Sequence, residues 1–335
     1  MKKKLNITVL VDEAEIPSAD PDFLTVPKDP TTEFHVIQTL RNLGHIVSVL
    51  GAVKNIEQMC AGLKKQKTDL VVNLTEHLEG ERRFDKNIAA LLEMSEIPFT
   101  GAGSMGMMLS RDKRLCKQLL SLYKIRVPAF ISLPPKRIVT LPKILHFPLV
   151  VKPAFEDSSE GISNASIVET QAALTERVRF VHERWNQPAI AEQYIEGKEL
   201  YVGILGNKKL LVLPVRECQF NFQGNNGPCL ATYRVKWNKQ YREKWNIEFG
   251  FADLQPSVVK SIERVCKKVY KILHLMDYGR IDIRLTSDNK IYILEANPNP
   301  DLAYGEEVAE AAEKMGISYE NLIKKILNTA LKRYA

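Results

Sequence analysis

Short apolar runs alternate with amphipathic stretches over the N-terminal part of the chain. The apolar runs are typical of buried strands and lie at 5–11, 45–51, 68–74 and 97–101. The stretches between them have the apolar spacing of helices and lie at 33–43, 55–66 and 84–95. Alternation at βαβ spacing predicts a parallel sheet from residue 1 to about 105, interrupted by a loop over the Asp-, Pro- and Ser-rich residues 12–32.

The pattern changes beyond that sheet. A helix is predicted at 111–122, and a small α+β unit follows it. The elements of this unit are strands at 147–153, 164–168 and 188–193 and a helix at 170–183. A polar loop, AFEDSSEGIS, comes directly after the first of these strands.

The C-terminal part opens with two strands, 199–207 and 209–217, which predict a hairpin around Gly206-Asn207. Residues 218–255 show no clear periodicity, and a stretch of that length inside a compact domain is typical of a functional lid or of a disordered segment. The remaining predicted elements are an amphipathic helix at 257–273, a second hairpin at 279–300 and a helix from about 318.

The second hairpin, GRIDIRLTSDNKIYILEANPNP, carries charges that a plain core hairpin would lack. Side chains alternate faces along a strand, so Arg280 and Asp282 share one face and Ile or Leu takes the other. A two-residue turn at its Asp-Asn pair would place Asp282 opposite Glu295 and Arg280 opposite Asn297, with Cβ atoms about 5 Å apart. Two carboxylates and an amide oxygen suit Mg²⁺, and a nearby arginine suits a transferring phosphate or an oxyanion.

The alternative is a solvated sheet face on which these charges form ordinary cross-strand ion pairs. That alternative explains Asn297 poorly and leaves the strand exit NPNP without a role.

A second segment fits phosphate binding. Lys152 ends the strand 147–153, and the polar loop behind it contains Ser158, Ser159 and Gly161. Lysine is a point-charge phosphate ligand, and the hydroxyl and N–H groups of such a loop can cover phosphates. An ordinary surface loop would have the same composition, so the segment is weak evidence alone.

A third segment, AEQYIEGKEL, places Glu192 at the end of one strand and Glu199 at the start of the next. This is a common setting for hydrogen bonds to a nucleotide base and ribose, although it too is weak alone.

Composition narrows the function classes. The formal charge is +7, from 47 Lys and Arg against 40 Asp and Glu, and the basic residues are spread out. Such a charge favours anionic ligands such as nucleotides, whereas nucleic-acid binding would need a basic patch. The five cysteines are scattered without a CxxC pair, which is typical of a reducing cytoplasm, and no apolar run is long enough for a signal peptide or a membrane span.

With these segments in this order, the chain resembles the ATP-grasp superfamily and, within it, the D-alanine–D-alanine ligase-like branch, from about residue 70 to the C-terminus. The motifs that carry the resemblance are DLVVNLTEHLEGE, IPFTGAGSMGMMLSRDK, PLVVKPAFEDSSEGIS, IAEQYIEGKEL, YRVKW, GRIDIRL and YILEANPNP. The resemblance implies an α/β (α+β) ATP-grasp fold, in which a parallel-sheet domain precedes two α+β subdomains that sandwich ATP. The implied bounds are 1–108 for the N-terminal domain, 109–193 for the central lid subdomain and 194–335 for the catalytic subdomain.

The resemblance also implies a role for each matching position. The residues implied to bind ATP are Lys113, Lys152, Ser158, Ser159, Glu192, Tyr194, Ile195, Glu199 and Lys236. The implied magnesium ligands are Asp282, Glu295 and Asn297, with Glu295 bridging two ions. The implied catalytic residues are Arg280, which stabilises the acyl phosphate and the tetrahedral intermediate, Lys236, which reaches the γ-phosphate from the long loop, and Ser158.

The implied chemistry is an amide ligation in two steps, with ATP and two Mg²⁺ ions (Mn²⁺ can substitute). A substrate carboxylate attacks the γ-phosphate of ATP, and an amine then attacks the acyl phosphate, releasing phosphate. Positioning and electrostatics carry such a reaction, and lid closure keeps water from the acyl phosphate.

The chain departs from the dipeptide ligases where those enzymes hold the first D-alanine. Their Gly-Gly-x-Ser turn is replaced by the long loop 12–32, and Glu33 is the candidate for the glutamate that holds the ammonium group. The histidine of their LHG motif falls at Glu76, with His77 one residue on.

A second departure follows the metal motif. Asp301 stands where the ligases have a glycine, and Glu306 stands where they have a serine that binds the carboxylate of the second D-alanine. A carboxylate facing another in a partly desolvated site would cost about a few kcal/mol. We therefore expect an amine substrate that has no free carboxylate there or is cationic; the alternative is that residues 301–307 turn away from the pocket.

Three functions remain open at this point. The first is an ATP-dependent carboxylate–amine ligase acting on amino-acid or peptide substrates, without nucleic-acid or membrane partners, in the cytoplasm and able to form a homodimer as its relatives often do. The second is a genuine D-Ala–D-Ala or D-Ala–D-X ligase of cell-wall synthesis. The third is a non-catalytic nucleotide-binding protein, which is disfavoured because every matched metal and phosphate position keeps a competent residue.

Overall fold

Three sheets organise the chain. The computed structural model describes residues 4–136, 139–157, 159–222 and 230–335. Its sheets are a three-stranded parallel sheet, a four-stranded antiparallel sheet and a six-stranded antiparallel sheet. Within these described residues, no helix combines the length and apolar character needed to cross a membrane.

The parallel sheet expected from the βαβ pattern is confirmed, in the order β2-β1-β3. Its strands and helices are β1 (Asn6–Asp12), α1 (Thr32–Asn42), β2 (Ile46–Ala52), α2 (Ile56–Lys65), β3 (Leu70–Asn73) and α3 (Asp85–Met94). The strand expected at 97–101 is reduced to a single bridge between Val71 and Phe99. Short 3-10 turns at Glu13–Glu15 and Arg82–Phe84 lie in the connections.

Two helices, rather than the single predicted one, lead out of this unit. They are α4 (Ser104–Arg111) and α5 (Lys113–Leu122). The break falls at Asp112, whose side chain accepts hydrogen bonds from the backbone N–H groups of Arg114 and Leu115 and so caps α5.

The second sheet has the order β4-β7-β5-β6. Its elements are β4 (Phe130–Leu133), β5 (Leu149–Pro153), β6 (Ile167–Val168), α6 (Gln171–Trp185) and β7 (Ala189–Gln193), with a 3-10 turn at Asn164–Ser166. Strand β4 was not predicted from the sequence. Helix α6 packs Leu174, Val178 and Val181 against the sheet, so the small α+β unit forms its own core.

The third sheet has the order β11-β10-β8-β12-β13, and β9 pairs with the C-terminal end of β8, at Ile204 and Leu205. Its strands are β8 (Lys198–Leu205), β9 (Leu211–Val212), β10 (Arg216–Phe220), β11 (Ile247–Phe251), β12 (Tyr278–Leu285) and β13 (Ile291–Asn297). The helices of this part are α7 (Tyr233–Trp237), α8 (Lys239–Lys244), α9 (Pro256–Ile272), α10 (Glu307–Lys314) and α11 (Tyr319–Leu331).

Two expectations for this sheet need correction. The single strand expected at 209–217 is two short strands, because Pro214 between them has no N–H to donate to a ladder. The described part of 218–255 is not featureless: it contains α7, α8 and β11. The domain bounds at residues 108 and 193 stay predictions.

The β12–β13 hairpin has the register that the sequence predicted at its open end. Arg280 pairs with Asn297, and Asp282 pairs with Glu295. The expected two-residue turn is wrong, because Leu285 pairs with Ile291 and the turn is therefore longer. A β-bulge between positions 282 and 283 restores the predicted pairing.

The apolar face of this hairpin lies in the core of the third sheet. Ile281, Ile283 and Ile293 pack with the buried stripe of α9, which includes Ile262 and Val269. The opposite, polar face is covered by residues 230–246, called the lid segment below, since Val235 of α7 packs on Tyr201 of β8.

Asp277 joins three distant segments just before β12. Its carboxylate accepts hydrogen bonds from the backbone N–H of Gly101 at 2.9 Å and the Nδ2 of Asn207 at 2.8 Å, and it lies 3.4 Å from the Nη2 of Arg333. The residue is fully buried and has a φ of 64°, a conformation that Asp adopts more readily than most residues.

We expect Asp277→Ala to lower the free energy of unfolding by about 2–4 kcal/mol, because it leaves buried donors unpaired. The measurement is the shift of the urea midpoint. Asp253→Ala, which removes an exposed carboxylate, is the matched control and should change stability by less than about 0.5 kcal/mol. Equal effects of the two substitutions would contradict the role of Asp277.

Candidate active site

A row of side chains crosses one face of the third sheet. Strand pairing aligns Arg216 of β10, Tyr201 of β8, Asp282 of β12 and Glu295 of β13. The next positions toward the open end of the hairpin are Arg280 and its partner Asn297.

The solvated-face alternative is wrong for this cluster. Arg280, Asp282 and Asn297 are only 7%, 5% and 4% exposed. Charged groups are kept at such depth only when they are paired or ligated, so their contacts decide what the cluster can do.

Arg280 is held by two carboxylates. Its Nε and Nη2 donate to the two oxygens of Asp282 at 2.8 and 3.0 Å, a bidentate contact, and its Nη1 donates to Glu307 at 3.1 Å. Its guanidinium carbon also lies 5.5 Å from the ring centre of Tyr201. These contacts fix a planar cation beside the carboxylates of the hairpin.

The N-terminus of α5 meets the hairpin and the polar loop. The Nζ of Lys113 lies 2.7 Å from Glu295 and also donates to the backbone carbonyl of Glu156. Burial lowers the pKa of Lys113, but Glu295 more than offsets it, so the pKa is raised and the group stays charged. The structure thus brings together Lys113, the start of the loop after β5 and the predicted metal ligand Glu295.

Glu192 is the most deeply buried carboxylate of the predicted nucleotide segment. Its two oxygens face Lys152, which donates a hydrogen bond, and Lys117, whose Nζ is 2.9 Å away. Burial raises the pKa of Glu192, but Lys117 and Lys152 together lower it to about 2. The carboxylate is therefore engaged by protein cations in this structure.

Lys117 was missed by the sequence reasoning. It also donates to the carbonyl of Leu294, the bulge residue of β13, at 2.8 Å. The sequence does carry a sign of its role. The buried face of α5 has helical spacing and consists of Lys113, Cys116, Lys117 and Leu120. A lysine on such a face needs a buried partner.

The polar loop and the lid segment touch. The hydroxyl of Ser159 donates to the carbonyl of Ala231 at 2.7 Å, and the N–H of Tyr233 donates to the carbonyl of Ile162 at 3.2 Å. Lys236 follows on α7 and lies 5.8 Å from the ring centre of Tyr201. Ser158, the other predicted serine, lies outside the described residues.

Glu199 begins β8 and is linked to both the sheet and the lid. It accepts hydrogen bonds from Arg284 at 2.6 Å, from the Tyr201 hydroxyl at 3.2 Å and from the N–H of Ala231 at 3.4 Å. The guanidinium of Arg284 also lies 5.7 Å from the ring centre of Tyr194. Ile195 is buried next to them.

A large cavity opens between the polar sheet face, the lid and α10. Its volume is about 1080 Å³. Small-molecule sites usually span about 300–1,000 Å³, so this one can hold a nucleotide tail together with a second substrate. Six of the predicted residues line it: Glu76, Lys236, Arg280, Asn297, Asp301 and Glu306. The predicted residues Lys113, Lys152 and Glu192 are not among its lining residues; Lys113 pairs with Glu295 and Lys152 pairs with Glu192.

One side of this cavity is an acidic wall, formed by Asp301, Glu306, Glu307 and Glu310. Glu307 pairs with Arg280 and Glu310 pairs with Arg216. Sequence reasoning missed Arg216, Glu307, Glu310 and helix α10 itself; the only signal was the spacing of the two glutamates, three residues apart on one helical face.

Glu306 faces the cavity, so the alternative in which it turns away is not what the structure has. Burial, followed by the nearby Glu307 and Asp301, raises the pKa of Glu306 to about 7, with Arg280 opposing the shift. Asp301 accepts hydrogen bonds from the hydroxyl of Thr32 at 2.5 Å and the N–H of Ala303 at 2.7 Å.

The two remaining candidates lie on the N-terminal unit. Glu33 is in the first turn of α1, and burial raises its pKa, with Glu15 and Asp301 adding to the shift and a hydrogen bond to Thr31 opposing it. Glu76 lines the cavity and accepts a hydrogen bond from Arg82 at 3.0 Å. Glu33 is not among the residues that line the cavity, so the substrate roles of the two carboxylates stay predictions.

The donor set of the hairpin fits Mg²⁺. The described residues contain no group of three or more His, Cys, Asp or Glu arranged for a metal. Asp282, Glu295 and Asn297 form a smaller set on paired strands, which leaves coordination positions for phosphate oxygens, as Mg²⁺ sites in nucleotide enzymes do. The Nδ2 of Asn297 is buried without a partner among the described residues.

The sequence matches the family model described as D-ala D-ala ligase C-terminus over residues 123–328. An uncharacterized protein of Sinorhizobium fredii, y4sG, is 31% identical over 265 residues, which cover 79% of this chain and 75% of that protein. A D-alanine–D-alanine ligase of Bordetella petrii is 31% identical over 256 residues, which cover 76% of this chain and 74% of the ligase.

Solved structures resemble the fold over its whole length. The D-alanine–D-alanine ligase of Bacillus anthracis complexed with ATP covers 99% of both chains with a TM-score of 0.77 at 20% identity. The ligase of Coxiella burnetii covers 99% of this chain and 95% of its own with a TM-score of 0.69 at 19% identity. These likenesses confirm the fold class that the sequence predicted.

The raised pKa of Glu306 predicts a pH-dependent stability. A carboxyl whose folded pKa, about 7, lies above its ordinary 4.5 favours the fold below pH 4.5 and loses that advantage as the pH rises through 7. Relative to the wild type, we expect Glu306→Gln to be more stable at pH 8 than at pH 4.5 by about 1 kcal/mol, after allowance for solvent screening.

The measurement is urea unfolding of both proteins at the two pH values. Glu313→Gln, an exposed glutamate on the same helix, is the matched control and should show no such difference. A Glu306→Gln effect of equal size at both pH values would show that Glu306 does not titrate in this way.

Proposed function

Because the chain belongs to the D-alanine–D-alanine ligase family, we propose that it joins a substrate carboxylate to an amine through an acyl phosphate. The chain is an ATP-dependent C–N ligase, and its resemblance to that branch is confirmed. The acyl-phosphate route, the roles of the individual residues and the identity of the amine go beyond this reaction class and are part of the proposal.

The observation that carries the proposal is the buried hairpin cluster beside the cavity. Arg280, held by Asp282 and Glu307, presents a fixed cation where charge would develop on the acyl phosphate and on the tetrahedral intermediate. Because its carboxylate partners already hold it in place, little reorganisation is needed when the substrate arrives.

The lysines would serve the nucleotide. Lys152 and Lys113 lie where β5, α5 and the polar loop meet, and Lys236 reaches the cavity from the lid. Their positive charges would balance the ATP phosphates, and the contact of Ser159 with Ala231 would keep the polar loop and the lid closed over them.

Asp282, Glu295 and Asn297 would hold Mg²⁺. When bound, Mg²⁺ would supply neutralisation of phosphate charge and orientation of ATP. The proposed role of Glu192, Tyr194, Ile195 and Glu199 is to bind the adenosine part, with Glu192 acting through Lys152 and Lys117 rather than as an open carboxylate.

The substrates we propose are small amino-acid or peptide molecules, with an amine that lacks a free carboxylate at the acidic wall or is cationic. Two features support this: Asp301 and Glu306 line the cavity, and the cations Arg216 and Arg280 are already paired with carboxylates. D-Ala–D-Ala synthesis is the second candidate, favoured by the names of relatives such as the Bordetella petrii ligase. A homodimer and a cytoplasmic location stay predictions.

Removing a metal ligand tests the site. We expect Glu295→Ala to lower kcat by at least about a hundredfold, because it removes a ligand and leaves Lys113 unpaired. ADP release is the readout, and a cooperative thermal unfolding transition shows that the fold is kept. Glu263→Ala, a surface glutamate paired with Lys267 at 3.8 Å, is the matched control. Persistent activity of Glu295→Ala would refute the metal assignment.

A product assay separates the two candidate functions. We expect ADP release with pools of amino acids and amines, with mass spectrometry identifying an amide product, and little D-Ala–D-Ala formation from ATP and D-alanine. The physical reason is repulsion between the acidic wall and the carboxylate of an incoming D-alanine. Robust D-Ala–D-Ala synthesis would establish the second candidate instead.

A further inference from the structure

Two of the four carboxylates of the acidic wall are ion-paired among the described residues, Glu307 with Arg280 and Glu310 with Arg216. Arg280 is engaged by Asp282 through two nitrogens and by Glu307 through the third. Arg216 is engaged by Glu310 and stacks on Phe251, with 4.9 Å between the guanidinium carbon and the ring centre. An incoming carboxylate would therefore meet two arginines that already have carboxylate partners.

The other two members of the wall, Glu306 and Asp301, form no ion pair among the described residues, although Arg280 is near enough to Glu306 to oppose the rise of its pKa. The side chain of Glu306 forms no hydrogen bond or ion pair within the part of the chain that the structure describes. Asp301 accepts only from the neutral donors Thr32 and Ala303. His35, the nearby titratable ring, has a pKa lowered by burial despite Asp301, so it is neutral at pH 7.

The same cavity contains buried donors without partners. Asn297 is 4% exposed and lines the cavity, and its Nδ2 has no partner among residues 4–136, 139–157, 159–222 and 230–335. Arg216 is 6% exposed and lines it as well, and its Nε is likewise without a partner in those ranges. Buried donors of this kind are rare in folded proteins, so their presence indicates that this cavity holds a bound molecule whose acceptor oxygens, such as those of the acyl phosphate, they would meet.

We propose that the amine substrate carries a second positive charge, and that Glu306 together with Asp301 binds it. The chemical class is an aliphatic diamine or polyamine without a carboxylate. This inference rests on the proposed ligase function and names its acceptor. The charge of the distal ammonium would complete the pairing that the acidic wall lacks, as a charge-assisted hydrogen bond to a partly buried carboxylate.

The ligation step balances with this acceptor. One nitrogen, after losing a proton to solvent, attacks the acyl carbon of the acyl phosphate, forms the C–N bond and gives a second proton to the departing phosphate. The bond between the acyl carbon and the phosphate oxygen breaks, and phosphate leaves with the electron pair. The other nitrogen keeps its proton and its contact with Glu306, so the product is a mono-acylated diamine.

The test compares acceptors that differ by one charge. Purified full-length protein is given ATP, Mg²⁺ and a panel of D- and L-amino acids as donors, with 1,4-diaminobutane, 1,5-diaminopentane, spermidine, n-butylamine or D-alanine as acceptor. ADP release and mass spectrometry are the readouts. We expect kcat/KM for the best diamine to exceed that for n-butylamine by about tenfold or more, because one charge-assisted hydrogen bond contributes about that much.

The variant Glu306→Gln should lower the diamine-to-monoamine ratio of kcat/KM by about tenfold, because it removes the charge and keeps the shape. Glu313→Gln, exposed on the same helix, should leave that ratio unchanged. Equal rates with diamine and n-butylamine, a preference for D-alanine, or an unchanged ratio in Glu306→Gln would each overturn the proposal.

A binding measurement separates failure of this inference from failure of the ligase function. Calorimetric titration of 1,4-diaminobutane into the protein with Mg²⁺ and a non-hydrolysable ATP analogue needs no turnover. If every donor and acceptor failed to release ADP, the ligase proposal would fall, while diamine binding weakened about tenfold in Glu306→Gln would still support the subsite. Absence of diamine binding to the wild type would overturn the subsite.

Discussion

The buried carboxylate of Glu192 is the contact on which the arrangement of the site depends. It lies at the end of β7 and is paired with Lys152 of β5 and Lys117 of α5. An isolated carboxylate at that depth would cost several kcal/mol, and removing one partner of such a group leaves uncompensated charge. Lys117 also donates a hydrogen bond to the carbonyl of Leu294, so one network joins the four-stranded sheet, α5 and the β12–β13 hairpin. Charge pairing, in addition to apolar packing, keeps these three parts in register.

The bulge at Leu294 is the second half of the same arrangement. With the longer turn and no bulge, Asp282 would pair with Leu294 and Arg280 with Ala296. A slip of one residue moves every side chain of a strand to the opposite face, so Glu295 and Asn297 would then point into the apolar core. The bulge prevents this, and the carbonyl of the bulge residue, Leu294, accepts a hydrogen bond from Lys117. The site therefore depends on an irregularity of the strand that a helix from elsewhere in the chain stabilises.

The proposed active site divides into a part that would run the reaction and a part that would select the substrate. The hairpin and the lysines offer positioned charges that suit ATP and an acyl phosphate, in keeping with the family to which the chain belongs. The acidic wall on α10 offers the opposite charge. Its paired members, Glu307 and Glu310, hold Arg280 and Arg216 in place, and its unpaired member, Glu306, is left to act on whatever enters the cavity. In this proposal, reaction class and substrate choice have separate physical origins.

Much of the fold follows from periodicity: the parallel sheet, the buried stripe of α9 and the sharing of one face by Arg280 and Asp282 all depend on spacings of 2 or 3.6 residues. The sequence pattern did not predict helices α4 and α10 or strand β4, because these elements are short and their boundaries are set by caps and by neighbouring elements. The sequence by itself determined which side chains share a face and which reaction class they suit. Only the tertiary structure decided the bulged register, the burial of the polar face and the pairing of each carboxylate with its cation. Those features depend on contacts such as that of Lys117 with Leu294, which join residues far apart in the chain and leave no periodic trace in it.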